Sequence, residues 1–336
     1  MAFVRFALPW IVSHREHPWR FSALIGGTTT RAALIDDLGH LLGDAQALTR
    51  IDGSIKTVLE SVWGATQAAC DHVGIHVSAI DSACLGIPGA VDPDENVVLL
   101  SPALGWTEET DVVSVARQRL NVPMLLANDA LCAATGEAEF GVGNRYDDFL
   151  LFKLGTTVSL AVVRDGLPLD DDTELGSWIA KASVADEEFH RYGSAGALVR
   201  LARHEAEHDG TSRLFRLAGP DLASLDDSLV FEAARKGDAA ACAAVEHYAG
   251  NVARGSKPLV DALSPEAVVI AGSLARAGEL LREPVERHLR ALLAESDAPC
   301  PYVGTSSIAP AIGAYGAAVL AMRLEGIDPL VEAQTT

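Results

Sequence analysis

Asn128 and Asp129 close the apolar run PMLLAND. Polar residues at the carboxyl end of a buried strand sit where open α/β sheets place their ligands. The same pair suits the N-cap of a helix formed by ALCAATGEAEFG, and the two roles are compatible. A second candidate is Gly26-Gly27 with Thr28 at the tip of a hairpin, where missing side chains let a phosphate reach backbone N–H groups and a hydroxyl. A hairpin glycine is structural far more often than it is a phosphate cradle, so this pair carries little by itself. No G-x-x-x-x-G-K-[ST] run exists and the dinucleotide fingerprint is missing, which excludes a P-loop. The five cysteines, Cys70, Cys84, Cys132, Cys242 and Cys300, lie far apart without a C-x-x-C pair. Neither a disulfide framework nor a cysteine zinc site is legible in them, and reduced thiols in a cytoplasm fit best.

The elements that must position these residues follow from hydrophobic patterning. FSALIGG, TTTRAALID and HLLGDAQALTR read as a meander of strands, and IKTVLESVWGATQAACDHVG carries Val58, Val62, Ala65 and Ala69 at helical spacing. SACLGIP and PMLLAND read as buried strands, with a helix around Val112 to Leu120 between them. The order then repeats: DFLLFKLGTTVSLAVVRDG matches the opening hairpin, and helical stretches fill roughly 186 to 262. AVVIAG is another buried strand ending at Gly272, SLARAGELLREPVERHLRALLAE the helix after it, TSSIAP a last strand and GAYGAAVLAMRLEG a last helix. Two copies of hairpin, strand and helix predict duplicated sheet domains with a cleft between them.

The chain has 336 residues, more than one hydrophobic core usually serves, and 49% hydrophobic against 21% charged residues, which excludes wholesale disorder. Its formal charge of −20 opposes non-specific binding to nucleic acid or anionic membrane. The densest basic cluster, Arg200, Arg203, Arg213 and Arg216, is interleaved with Glu205, Glu207 and Asp209 and reads as a solvated helix face. The apolar stretch in MAFVRFALPWIVSHREHPWR is too short to span a membrane and lacks a small-residue cleavage site, so it is expected to be an extended N-terminus.

Four further segments stand in fixed order: GIPGAVDP at 86 to 93, LGW at 104 to 106, NDALCAATGEAEFG at 128 to 141 and AGSLARAG at 271 to 278. At these residues, and over about 22 to 322, the chain resembles the ROK family of bacterial sugar kinases and sugar-responsive repressors. The resemblance implies a two-lobed α/β protein of the actin/hexokinase-like (ribonuclease H-like) fold, with duplicated mixed β-sheet domains and a central cleft. It implies an N-terminal lobe over 1–127, a C-terminal lobe over 128–312, and a helix in 313–336 that returns to the first lobe. By it, Asp129 is the general base of sugar phosphorylation, and Asn128, Gly89, Glu174 and His190 line the sugar side. Gly26, Gly27, Thr28, Gly155, Thr156, Gly272 and Ser273 line the nucleotide side. ATP and Mg²⁺, a small-molecule sugar as partner and a homodimer are the further implications.

The chain also departs from that pattern. Ser177 stands where the family has a zinc-ligating histidine, and no cysteine lies between 132 and 242, so no structural zinc is expected. Leu24 replaces an acidic residue, Thr29 a lysine, and the second phosphate hairpin reads GTTVSLAV, in which bulky Val158 and Leu160 are expected to hinder approach to a phosphate. The readings that follow are a sugar kinase, or a degraded relative that binds a sugar as sensor or scaffold. A repressor ranks below both, because about twenty residues before the first hairpin cannot build a winged helix-turn-helix.

Overall fold

Alternating side chains let WRFSALI bury both faces of a strand. In the computed structural model, which describes residues 19–36, 40–92, 94–169, 191–294, 299–306 and 311–323, this strand is β1 (Trp19–Ile25). It turns Phe21, Ala23 and Ile25 to one side and Ser22 and Leu24 to the other. β2 (Thr29–Ile35) and β3 (Leu41–Leu48) complete an antiparallel meander. α1 (Ile55–Val73) lays Val58, Val62, Ala65 and Ala69 on the first face and stops at Gly74 in a left-handed conformation. β4 (Ile80–Ile87) runs parallel to β1. A small hairpin of β5 (Ala90–Asp92) and β6 (Val97–Leu100) and the short helix α2 (Val112–Arg117) lead to β7 (Met124–Asn128), parallel to β4. The sheet order is β3-β2-β1-β4-β7. From the end of β7, α3 (Asp129–Phe140) crosses to a second sheet.

That sheet repeats the plan. β8 (Phe149–Leu154), β9 (Val158–Arg164) and β10 (Leu167–Pro168) form the meander. The helices α4 (Ala195–His208), α5 (Leu214–Ala218), α6 (Asp227–Arg235) and α7 (Ala239–Leu263) come later in the chain. β11 (Ala267–Ala271) pairs parallel with β8, and after α8 (Glu279–Leu293), β12 (Tyr302–Thr305) pairs parallel with β11. The order β10-β9-β8-β11-β12 mirrors the first sheet strand for strand. Leu150, Phe152, Leu154, Val158, Leu160 and Val162 face α4 to α8 in the larger core. Phe149, Leu151, Ala161 and Val163 face Ala130, Ala133 and Ala134 of α3. α9 (Ile312–Arg323) returns to the first sheet, where Ala314, Ala317, Leu320 and Ala321 pack on Leu24, Ala33 and Cys84. Each sheet is therefore closed by the helix that follows the other sheet's last strand. Among the described residues no helix is long and apolar enough to cross a membrane.

Some elements fall elsewhere than the patterning predicts. α2 ends at Arg117, and the N–H groups of Arg119 and Leu120 bond to the Ala116 carbonyl in a last turn that reaches Leu120. β12 covers Tyr302–Thr305, overlapping the expected TSSIAP only at Thr305; residues 307–310 lie outside the described residues. The helix expected from Ser273 onward is broken at Gly278, whose φ of 60° separates a tight turn over Ser273–Ala277 from α8.

Candidate functional site

Asn128 ends β7 in an extended conformation, and its side chain caps α3: Oδ1 accepts the N–H groups of Ala130 (2.7 Å) and Leu131 (3.4 Å). Nδ2 donates to the Gly89 carbonyl at 2.5 Å, which ties the loop after β4 to the start of α3. Both ends of the amide are thus committed to protein atoms, and what Asn128 fixes is the position of its neighbour. Gly89 itself must lack a side chain, because a Cβ there would run into the backbone of Leu100 and Ser101.

Asp129 is fully buried. Its Oδ1 accepts the Ser159 hydroxyl at 3.0 Å, and its Oδ2 is ion-paired with the Lys153 ammonium. A buried carboxylate without such partners would be driven to neutralise, so these two groups explain how a charge can stand here. Strand geometry supplies both. Lys153 and Ser159 are cross-strand partners of β8 and β9, and both stand on the face that meets α3. Next to them, Cys132 of α3 touches Cys84 of β4; the thiol contact and burial push the Cys132 thiol far up, so it stays protonated.

The nucleotide-side candidates converge. A Cβ built on Gly27 would meet Thr156 Cγ2 and Ala103 Cβ, both at 3.8 Å, so the first two hairpin tips are in van der Waals reach. Gly155 lies against Ser273. Gly272 has a φ of 83° and packs on the Leu154 carbonyl, a place open only to glycine. Gly27, flanked by Gly26 and Thr28, thus neighbours Thr156, Gly155 neighbours Ser273, and Gly272 packs on the strand end before Gly155, where Lys153 pairs with Asp129. Asn128 and Gly89 are joined by a hydrogen bond next to Asp129 in the chain. Glu174, Ser177 and His190 lie outside the described residues.

Val158 and Leu160 point into the larger core, while Ser159, Ala161 and Val163 of β9 face α3. Leu24 is part of the apolar packing between the first sheet and α9, close to Gly86 and Gly313, while Thr29 is exposed. Sequence reasoning also passed over Lys153 and Ser159. The available signal was a single lysine inside the apolar run FLLFKL, because lysine is almost never buried unless paired.

Among the described residues no group of three or more His, Cys, Asp or Glu side chains could hold a metal ion. Asp129 is engaged with Lys153, and Leu24 offers no oxygen, so these residues do not form a protein cage for magnesium.

The family model for the ROK family matches residues 21–323. The glucokinase of Thermotoga maritima is 25% identical over 319 residues, 90% of this chain and 97% of that protein. The glucokinase of Halalkalibacterium halodurans is 26% identical over 286 residues, 81% of this chain and 86% of that one. The crystal structure of a ROK family glucokinase from Streptomyces griseus in complex with glucose and AMPPNP superposes with a TM-score of 0.78 at 24% identity, covering 91% of this chain and 99% of that one. This likeness, with the two matching sheets, gives the chain the actin/hexokinase-like fold.

Proposed function

The chain belongs to the ROK family, and from that premise we propose that it is a sugar kinase that transfers the γ-phosphate of ATP to a hydroxyl of a hexose or related sugar. The observation that supports this reading is the buried Asp129 carboxylate, next in the chain to the Asn128–Gly89 hydrogen bond and paired with Lys153, two residues before Gly155. A sugar hydroxyl on one side and a terminal phosphate on the other would then meet at its carboxylate. In the transfer the hydroxyl O–H bond breaks and its proton passes to Asp129, an oxygen–phosphorus bond forms, and the bond to the bridging oxygen breaks with its electron pair leaving on ADP. Asn128 holds the start of α3 so that the carboxylate keeps its place, and Ser159 fixes its rotation through Oδ1. Glu174 and His190 complete the sugar side in this reading. Magnesium would arrive with the nucleotide and neutralise its phosphates. The reading includes a cytoplasmic homodimer, as the family resemblance implies, and no nucleic-acid partner, which the net charge of −20 supports.

The test is release of ADP by the purified protein across a panel of hexoses and hexosamines. A responding sugar is expected, and Asp129→Asn should lower its turnover by about 10²–10⁴-fold while sugar binding by calorimetry persists. Sugar binding with no ADP release from the wild type would favour the second reading, a sugar sensor or scaffold. That reading draws on Leu24 in the apolar packing and on the Lys153 ammonium already seated on Asp129.

A further inference from the structure

The residues of the three turns, Gly26–Thr29, Gly155–Thr157 and Gly272–Leu274, carry no side-chain charge. A nucleoside triphosphate bound among them would bring about four negative charges to a protein whose own net charge is −20. A cation stands beside these turns at Lys153, on the strand that leads into Gly155. It ends the α3-facing row of β8, two residues before Gly155 and level with Ser159 on β9 and Ala271 on β11. Its side chain is 17% exposed, whereas its partner Asp129 is fully covered. The Lys153 side chain thus links a wholly buried carboxylate to a partly exposed position. An ammonium has three N–H donors, and one suffices for Asp129.

We propose that Lys153 binds the transferring phosphoryl group and is a catalytic residue of this chain, an inference that rests on the kinase reading. One N–H stays on Asp129 and the others turn to the equatorial oxygens of the γ-phosphate. A single side chain thereby registers the base against the group under attack and neutralises charge that grows there in the transition state. Lys153 remains protonated throughout; the only proton moved is that of the sugar hydroxyl, taken by Asp129. The role compensates for the uncharged Thr29 and for Leu24, and it accounts for a lysine in an otherwise apolar strand.

The experiment compares binding of the non-hydrolysable imido analogue of ATP with that of ADP by calorimetry. Lys153→Met alone would leave Asp129 buried without its cation and can fail to fold, so the comparison is made between Asp129→Asn and the double variant Asp129→Asn/Lys153→Met, which removes both charges. The double variant should bind the triphosphate analogue about 10- to 100-fold more weakly than Asp129→Asn, the worth of a charge-assisted hydrogen bond, with ADP and sugar affinities unchanged. Asp129→Asn/Lys153→Arg should restore much of the difference. Equal affinity of the analogue for both proteins, or an equal loss for ADP, overturns the proposal and leaves Lys153 as a structural partner of Asp129. This readout needs no turnover. Failure of the wild type to phosphorylate any sugar would reject the kinase reading, while a triphosphate-specific loss would still place Lys153 at the γ-phosphate.

Discussion

Glu137 shows how one buried charge can set the pH response of the fold. It lies on α3 with 1% of its surface exposed, and Oε2 accepts the Val142 N–H at 3.1 Å. Burial pushes its carboxyl above the ordinary glutamate range, against the pull of the Ser306 hydroxyl and the Val142 amide. The folded state therefore holds this proton more tightly than the unfolded chain. Its contribution to stability is present below the ordinary value of about 4.3 and is lost as pH rises through the higher folded value. Glu137→Gln should remove that dependence: its thermal midpoint relative to wild type should rise from pH 4 toward neutral and then level off. A constant difference across that range would mean that Glu137 titrates alike in both states. The residues around it divide by how local their signal is. The Asn128 cap was legible because capping depends on adjacent positions in sequence. The meeting of Lys153 and Ser159 was not, since it depends on the register between β8 and β9.

The contact between α3 and α9 determines where Asp129 can stand. The two helices cross at Gly136 and Gly316. A Cβ on Gly316 would overlap the Cys132 carbonyl and one on Gly136 the Ile312 carbonyl, both backbone atoms that cannot turn aside. Gly316→Ala is expected to destabilise the protein by about 1–3 kcal/mol, as overpacking does, and to lower turnover by shifting α3. The control is Gly64→Ala in α1, where a Cβ meets nothing within 4 Å; helix propensity predicts a neutral or slightly stabilising change of up to about 1 kcal/mol. Equal thermal midpoints for the two variants would show that the helix crossing has room to spare. The meander, the parallel strands and the helix α1 were readable from periodicity, which is a local property. The start of β12 at Tyr302 was not, because it is set by pairing with β11, a partner distant in sequence. Nor could patterning show that α3 and α9 serve opposite sheets, a matter of which face is left uncovered.

At the scale of the whole molecule, the charge of −20 should govern how nucleotide arrives. The field repels ATP, and raising ionic strength from about 0.01 to 0.15 M shortens the screening length from roughly 30 to 8 Å. For the kinase, kcat/KM for ATP should rise over this range, while that for an uncharged sugar should not move. A fall for ATP would reveal a positive field local to the cleft that outweighs the rest of the surface. The exchange of closing helices between the sheets bears on a different matter, the order in which the chain is made. The first sheet and α1 leave the ribosome early, but the face that carries Leu24, Ala33 and Cys84 is covered by α9, the last of the described elements to be synthesised. α3 emerges in the first half of synthesis, and its Ala130, Ala133 and Ala134 face stays uncovered until β8, β9 and then β11 appear. Neither lobe can finish folding while its own residues are the only ones available. The nascent chain must therefore keep an apolar sheet face waiting for nearly two hundred residues, which makes it a natural client for a chaperone that shields such surfaces.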